Sequence, residues 1–233
     1  MSRLAKQAYG ADYPDGVDPL GMTTKEVLRT YLDVLDLGKG TRLVDIACGR
    51  AGVSLWLARE SGSTLTGVDF SPVAVREAEL RSRDWVAPDQ ARFIVGDLLD
   101  TTLPEGSADA VLCADAIFFA ADRVAAVAEV CRVLRAGGRY AFTADESDDD
   151  RPTGVPDWRP IIEAGGLIVV DCIELPRWRE QLTRMYEVWL ENLDEVRDVL
   201  GEESANDLRE EAEMIGPTLV SRTGVLYVAR KPD

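Results

Sequence analysis

Short, nearly continuous apolar runs alternate with amphipathic segments along most of this chain, and the alternation limits the folds open to it. The runs span residues 42–47, 65–69, 92–97, 110–114 and 139–143. Strands with apolar residues on both faces are typical of parallel sheets, whose strands must be joined by crossover helices. The pattern therefore predicts an α/β fold, with a doubly wound and mostly parallel sheet.

Helix start signals lie between the runs. Thr23-Thr24-Lys25-Glu26 is a capping box that predicts a helix to about residue 37, and Ser71-Pro72 is an N-cap followed by proline. Asp122 precedes a helix that we expect to end at Gly137-Gly138.

The pattern changes after residue 145. We expect a solvated acidic loop at 145–150, a strand at 167–175 and a last strand at 224–229. Between these two strands, residues 176–216 are charged and helical in pattern. This helical insertion either caps one end of the sheet or packs against its side, and the sequence leaves both arrangements open.

Composition excludes several classes of function. The 233 residues include 42 acidic and 26 basic ones, for a net charge of −16, which disfavours nucleic acid and anionic membranes as partners. Histidine is absent, which rules out Ser-His-Asp triads, Cys-His pairs and histidine-ligated zinc. The cysteines form no CxxC pair and no apolar stretch reaches about 18 residues, so we expect one cytoplasmic domain, 1–233, without a metal.

Four consecutive predicted strands end in a carboxylate: Asp45, Asp69, Asp97 and Asp115. Ligands of open parallel sheets bind outside the carboxyl ends of the strands. The four acids therefore indicate one ligand that carries amine and hydroxyl donors, although Asp97 could instead cap the next turn and Asp115 could bond a loop.

The loop after the first strand distinguishes between nucleotide ligands. Residues 45–52 do not form G-x-G-x-x-G, and an ionised Asp45 would repel a pyrophosphate but attract an ammonium. S-adenosylmethionine (SAM) fits this pattern. Its ammonium would meet Asp45, its carboxylate the backbone N–H groups of 49–52, its ribose Asp69 and its adenine amine Asp97.

Four segments, 43–49, 68–71, 95–98 and 130–139, resemble motifs of the class I SAM-dependent methyltransferase family, in its small-molecule, natural-product branch. The resemblance implies a Rossmann-like, seven-stranded sheet with an antiparallel last strand, and S-adenosylhomocysteine as a product. The cofactor-binding residues that it implies are Asp45, Ala47, Cys48, Gly49, Gly52, Asp69, Phe70, Gly96, Asp97, Leu98 and Ala114. The chain departs from the family pattern at Ala47 and Ala51, where glycines usually stand.

The resemblance also implies where the methyl acceptor binds. The insertion would form part of the acceptor pocket, and residues 1–22 would be a strap or lid over the cofactor. The candidate acceptor-binding residues are Tyr9, Tyr13, Phe118, Phe119, Trp178 and Tyr186.

We therefore expect methyl transfer to a small molecule, a secondary metabolite, chiefly by proximity and alignment. Asp115 is the candidate proton acceptor. The alternative is a SAM-binding enzyme of the same fold that catalyses a reaction without methyl transfer, such as a cyclisation.

Overall fold

A single mixed sheet organises the part of the chain that the structure, a computed structural model, describes: residues 2–18, 23–147 and 154–233. Within these ranges the strand order is β3-β2-β1-β4-β5-β7-β6, and β7 runs antiparallel to both of its neighbours. The strands are β1 (Arg42–Ile46), β2 (Thr64–Asp69), β3 (Ala91–Val95), β4 (Ala108–Cys113), β5 (Leu134–Ser147), β6 (Ile168–Glu174) and β7 (Arg222–Arg230). The expected doubly wound sheet with an antiparallel last strand is confirmed.

The helices connect and cover these strands. They are α1 (Ser2–Tyr9), α2 (Lys25–Val34), α3 (Gly52–Ser61), α4 (Pro72–Ser82), α5 (Arg123–Val133), α6 (Arg159–Ala164), α7 (Trp178–Glu191), α8 (Leu193–Leu200) and α9 (Glu202–Ile215). Among the described residues, no helix is both long and apolar enough to cross a membrane.

Apolar residues that alternate along the strands form a core on each face of the sheet. On β1, Val44 packs into the core that includes α5, whereas Leu43 packs into the core that includes α2, α3 and α4. On β4, Val111 and Leu112 divide between the same two cores. Burial on both faces explains why each run is apolar throughout.

The helix ends agree with the sequence at two places and differ at two others. The side chains of Ser71 and Asp122 accept from the N–H groups of Ala74 and Ala125, as expected of N-caps. At α2, however, the cap is Thr24 and not Thr23, because Thr24 Oγ1 accepts from Val27 N–H.

The second difference is at α5, which ends at Val133, and β5 begins at the next residue, before Gly137. Leu134 is fully buried at the start of that strand, and this tertiary contact replaces the expected glycine stop.

A third apolar cluster lies between α1 and the helices that precede β7. A side chain at Gly224 of β7 would overlap the ring of Trp178, so the missing Cβ lets α7 lie directly on the strand. This close approach places the start of α7 against β7.

Candidate functional site at the carboxyl ends of the strands

A cavity of about 670 Å³ opens at the carboxyl ends of β1, β2 and β4 and is bounded by residues of α7 and α9 on the opposite side. The helical insertion therefore caps the end of the sheet, which resolves the alternative left open by the sequence. Of the predicted site residues, these line the cavity: Asp45, Ala47, Cys48, Gly49, Gly52, Asp69, Phe70, Ala114, Asp115, Phe118, Phe119, Trp178 and Tyr186.

Asp45 is a buried carboxyl group at the floor of the cavity. It is only 3% exposed. Burial raises its pKa to about 7, and the neighbouring Asp69 carboxylate adds to the shift. A carboxyl group in this state is poised to ionise when a cation reaches it.

Asp69, at the end of β2, holds the loop after β1. Its Oδ2 accepts from Gly49 N–H at 2.8 Å and its Oδ1 accepts from Ser71 N–H at 2.9 Å. Each carboxylate oxygen has a second lone-pair site, so both retain capacity to accept a ligand hydroxyl. The two strand ends are thus tied together at the cavity.

The loop between β1 and α3 keeps a glycine-like backbone without all of the glycines. Ala47 and Ala51 have φ values of 59° and 55°, and Gly49 has 53°. An L-residue in the left-handed region costs about 1–2 kcal/mol. The two alanines that depart from the family pattern therefore adopt the conformation that glycine would favour.

The N-terminus of α3 faces the cavity through Gly52 and Val53. The first N–H groups of a helix lack partners within it, and the N-cap residue Ala51 makes no side-chain cap. The N–H groups of Gly49 and Ala51 are engaged by Asp69 and by the Cys48 carbonyl. Two of the four N–H groups expected at 49–52 to bind the ligand carboxylate are therefore engaged, and the first turn of α3 remains available to it.

Gly52 also has a packing role that the sequence did not suggest. A Cβ at this position would overlap the carbonyl oxygen of Val17, which belongs to the N-terminal segment. The Arg81 guanidinium donates to that carbonyl at 2.8 Å. The segment therefore lies against the start of α3, and Asp18 next to Val17 lines the cavity.

The third strand end is not brought to the cavity wall. Asp97 is exposed, and its Oδ1 accepts from the N–H groups of Leu99 and Asp100 at 2.7 and 2.9 Å, which caps the following turn. A Cβ on Gly96 would lie 2.9 Å from Val68 Cγ1, and Leu98 packs on the core. Local contacts thus account for the positions of Gly96, Asp97 and Leu98. Their contact with the adenine of SAM stays a prediction.

The segment after β4 presents Ala114, Asp115, Phe118 and Phe119 to the cavity. Asp115 has a φ of 52°, again in the left-handed region. The two phenylalanine rings lie 4.6 Å apart, and Phe119 is 76% exposed whereas Phe118 is half-buried against the core.

The predicted aromatic residues separate into two groups. All four belong to the third apolar cluster, but only Trp178 and Tyr186 of α7 also line the cavity, whereas Tyr9 and Tyr13 do not. Tyr9 nevertheless lies within electrostatic range of the site: burial raises its pKa, and Asp115 raises it further. Tyr13 donates to Asp18 at 3.0 Å, a bond within the N-terminal segment that holds this cavity-lining residue.

Sequence reasoning missed a buried ion pair in the cavity. Arg222 Nη1 lies 2.7 Å from Asp145 Oδ2, and the side chains are 7% and 20% exposed. Asp145 belongs to β5, so the expectation of a solvated loop was wrong for this residue, while 148–150 lie outside the described residues. The available signal was the position of Asp145 at one more strand end.

The cavity is negative overall. Its acidic lining residues are Asp18, Asp45, Asp69, Asp115, Asp145 and Glu211, against the basic residues Arg50 and Arg222. Such a lining favours a cationic ligand over a pyrophosphate. Within the described part of the chain, no group of three or more Cys, Asp or Glu residues is arranged to hold a metal ion.

The strand order, the antiparallel β7 and a cavity at the carboxyl ends together define the class I SAM-dependent methyltransferase fold. Residues 44–142 match the family model described as "Methyltransferase domain". This part of the chain is similar to the methyltransferase domain family.

Individual proteins show the same similarity. The chain is 31% identical over 144 residues to 27-O-demethylrifamycin SV methyltransferase of Amycolatopsis mediterranei, covering 60% of this chain and 53% of that one. The chain spans about half the length of the first curated relatives that it matches.

Two solved structures share the fold. The [4+2]-cyclase SpnF superposes with a TM-score of 0.81 at 20% identity, covering 99% of this chain and 92% of that chain. The phosphoethanolamine N-methyltransferase 2 of Haemonchus contortus, in complex with SAM, gives a TM-score of 0.75 at 17% identity, covering all of this chain and 57% of that one.

Proposed function

We propose that this protein transfers a methyl group from SAM to a small-molecule acceptor and releases S-adenosylhomocysteine. The observation that carries the proposal is the pair of buried carboxyl groups, Asp45 and Asp69, which face a negative cavity beside the first turn of α3. The match of residues 44–142 to a methyltransferase domain supports the same reaction.

The chemistry of the cavity fits SAM. Asp45 would hold the ammonium, because a cation offsets the cost of ionising a buried carboxyl group. The first turn of α3 would hold the methionyl carboxylate, which suits a helix N-terminus without a side-chain cap. Asp69 would accept from the ribose hydroxyls, and Phe70, exposed beside it, would contact the adenosine.

The other half of the cavity would hold the acceptor. Trp178, Tyr186, Phe118 and Phe119 give it aromatic walls, and we propose a flat, largely apolar substrate such as a secondary metabolite. The acidic excess disfavours acceptors that carry carboxylates or phosphates. The described part of the strap, residues 2–18, and the insertion at 176–216 would close over the bound pair.

When bound, SAM supplies an electrophilic methyl group on a sulfonium that is already a good leaving group. The chain's part is then alignment and exclusion of water, and positioning alone can contribute effective molarities of about 10⁵ M or more. Asp115 would accept the proton of a hydroxyl or amine acceptor, because the chain contains no histidine to do so.

Incubation with methyl-labelled SAM and a panel of phenols, amines and acids tests the reaction. We expect label in a product together with release of S-adenosylhomocysteine, with neutral aromatic acceptors preferred over their carboxylated analogues. A product that forms without label would instead support the alternative, a reaction such as a cyclisation.

Calorimetric titration with SAM tests the site without an acceptor. We expect Asp69→Ala to weaken binding at least tenfold, because it removes the ribose partner and the bond that fixes Gly49. Glu203→Gln, which changes an exposed carboxylate of α9, is the matched control and should bind SAM like the wild type. Unchanged affinity in Asp69→Ala would contradict the assignment.

A further inference from the structure

A buried chain of hydrogen bonds links α2, β5 and the segment after β4. The Tyr31 hydroxyl, which is 0% exposed, donates to Thr143 Oγ1 at 3.0 Å. The Thr143 hydroxyl donates to Asp115 Oδ1 at 2.6 Å, and Asp115 N–H donates to the same Thr143 oxygen at 2.9 Å. Asp115, the last residue in this series of hydrogen bonds, lines the cavity.

The donor and acceptor in each of these hydrogen bonds follow from the chemistry of the threonine hydroxyl. A hydroxyl group has one hydrogen and two lone pairs. Asp115 N–H can only donate, so it occupies one lone pair of Thr143 Oγ1, and the Tyr31 hydroxyl occupies the other. The single hydrogen of Thr143 is then directed to Asp115 Oδ1, whose 2.6 Å distance is typical of a hydroxyl bonded to a carboxylate.

The arrangement has a cost that packing does not explain. Tyr31 and Thr143 are both nearly inaccessible, in a region where phenylalanine and valine would bury similar volumes without polar atoms. Asp115 adopts a left-handed backbone that is strained for a residue with a Cβ. A role in fixing the Asp115 carboxylate accounts for both the buried polar groups and the strained backbone.

We propose that Thr143, oriented by Tyr31, is a positioning residue that holds the Asp115 carboxylate ionised and fixed at the cavity wall. The role of Asp115 in proton transfer rests on the proposed function, whereas the hydrogen bonds that fix its carboxylate do not. In the reaction, a bond forms between the acceptor atom and the methyl carbon as the carbon–sulfur bond breaks. The acceptor's proton passes to Asp115 and then to solvent, and S-adenosylhomocysteine leaves as a neutral thioether.

Other ionisable groups face Asp115 and must be considered in any titration. Tyr9 of α1, Tyr31 of α2 and Cys113 of β4 interact with it electrostatically. The same cavity also holds Asp45, Asp145, Glu211 and Arg222. These carboxylates disfavour a further negative charge at Asp115. The hydrogen bond from Thr143 opposes that effect because it stabilises the ionised form of Asp115.

Carbon-13 NMR of aspartate-labelled protein tests the proposal without an acceptor. The Asp115 carboxyl signal is assigned by its absence in Asp115→Asn, and its titration midpoint is compared between variants. We expect Thr143→Val to raise the midpoint by about one pH unit, because the bond that favours the ionised form is lost. Thr143→Ser keeps a hydroxyl and should restore the wild-type midpoint.

Tyr31→Phe is a second variant for the same measurement, and it applies even if Thr143→Val does not fold. It leaves the Thr143 hydroxyl in place but removes the group that orients it, so we expect an upward shift of about half a pH unit. Equal midpoints in the wild type and in every folded variant would overturn the proposal, as would a Thr143→Ser midpoint equal to that of Thr143→Val.

The two hypotheses can fail separately. If the midpoints shift as expected but the wild type transfers no label to any acceptor, the positioning role stands and the proposed function fails. If label is transferred, the acid limb of the kcat profile should move with the midpoint in Tyr31→Phe, while KM for SAM stays within twofold. A kcat profile that stays in place would count against the positioning role alone.

Discussion

Asp45→Asn should make the protein more stable at pH 8 and, at the same time, weaken its binding of SAM. Burial raises the Asp45 pKa to about 7 from its usual 3.8. One pKa unit corresponds to about 1.36 kcal/mol, so about three units amount to roughly 4 kcal/mol. This is the folding free energy that the wild type loses when the buried carboxyl group ionises.

The sign of the pH dependence follows from a folded-state pKa above the unfolded one. Below about pH 4 the group is protonated in both states and there is no penalty. The penalty grows as pH rises from about 4 to 7 and is constant above that. We therefore expect Asp45→Asn to be more stable than the wild type by about 2–4 kcal/mol at pH 8, the lower figure allowing for new amide N–H groups, and nearly equal at pH 4.

Urea unfolding at pH 4, 6 and 8 measures this difference. Glu203→Gln changes the net charge equally at an exposed position and should stay within about 0.5 kcal/mol of the wild type at each pH. If Asp45→Asn were no more stable at pH 8 than at pH 4, relative to the wild type, the account of Asp45 as a buried carboxyl group with a raised pKa would be wrong.

SAM affinity should follow the same ionisation. At pH 6 about 90% of a group with a pKa near 7 is protonated, while an α-amino group with a pKa near 7.8 is charged. Binding that requires an ionised carboxyl and a charged amine is therefore strongest near pH 7.4 and about fivefold weaker at pH 6. Asp45→Asn should bind at least about tenfold more weakly at pH 7.4 and lose the acid limb.

Three further substitutions test the walls and the loop. Gly224→Ala would overlap the Trp178 ring, and we expect it to cost about 1–3 kcal/mol in urea unfolding and to impair acceptor turnover more than SAM affinity. Ala47→Gly removes about 1–2 kcal/mol of backbone strain against about 0.5–1 kcal/mol of glycine entropy, so its melting temperature should equal or exceed that of the wild type. Asp145→Ala removes the carboxylate that lies 2.7 Å from the buried Arg222 guanidinium, and we expect a loss of about 1–3 kcal/mol in the same assay.

The sheet could be predicted from the sequence because its signals are local. Strands buried on both faces must be apolar throughout, and the Ser71 and Asp122 caps bond to N–H groups three residues away. The cap of α2 is Thr24, one residue after the predicted position, and α5 ends before the predicted glycines because Leu134 is buried as the first residue of β5.

The candidate site was predictable only in part. Parallel strands bring their carboxyl ends to one edge, so Asp45, Asp69 and Asp115 could be grouped without coordinates. Asp97 follows the same rule in sequence, yet its carboxylate is turned to the adjacent loop. A strand-end position gives the place of a residue but not the direction of its side chain.

The sequence carries no signal that pairs residues far apart along the chain. Asp145 and Arg222 are 77 residues apart, and Tyr31 reaches Thr143 across 112 residues. Similarly, aromatic residues marked the N-terminal segment, but the sequence does not show that Tyr9 is buried in the third apolar cluster without lining the cavity. A single sequence does not pair such positions.

A crystal structure of the protein grown with SAM at pH 7.4 is the most direct test of the account. We predict that the ligand's amino group lies beside Asp45, that its carboxylate lies at the first turn of α3, and that its ribose hydroxyls donate to Asp69. A ligand whose ribose or amino group lies away from both carboxyl groups, or a cavity that stays empty at saturating SAM, would contradict it.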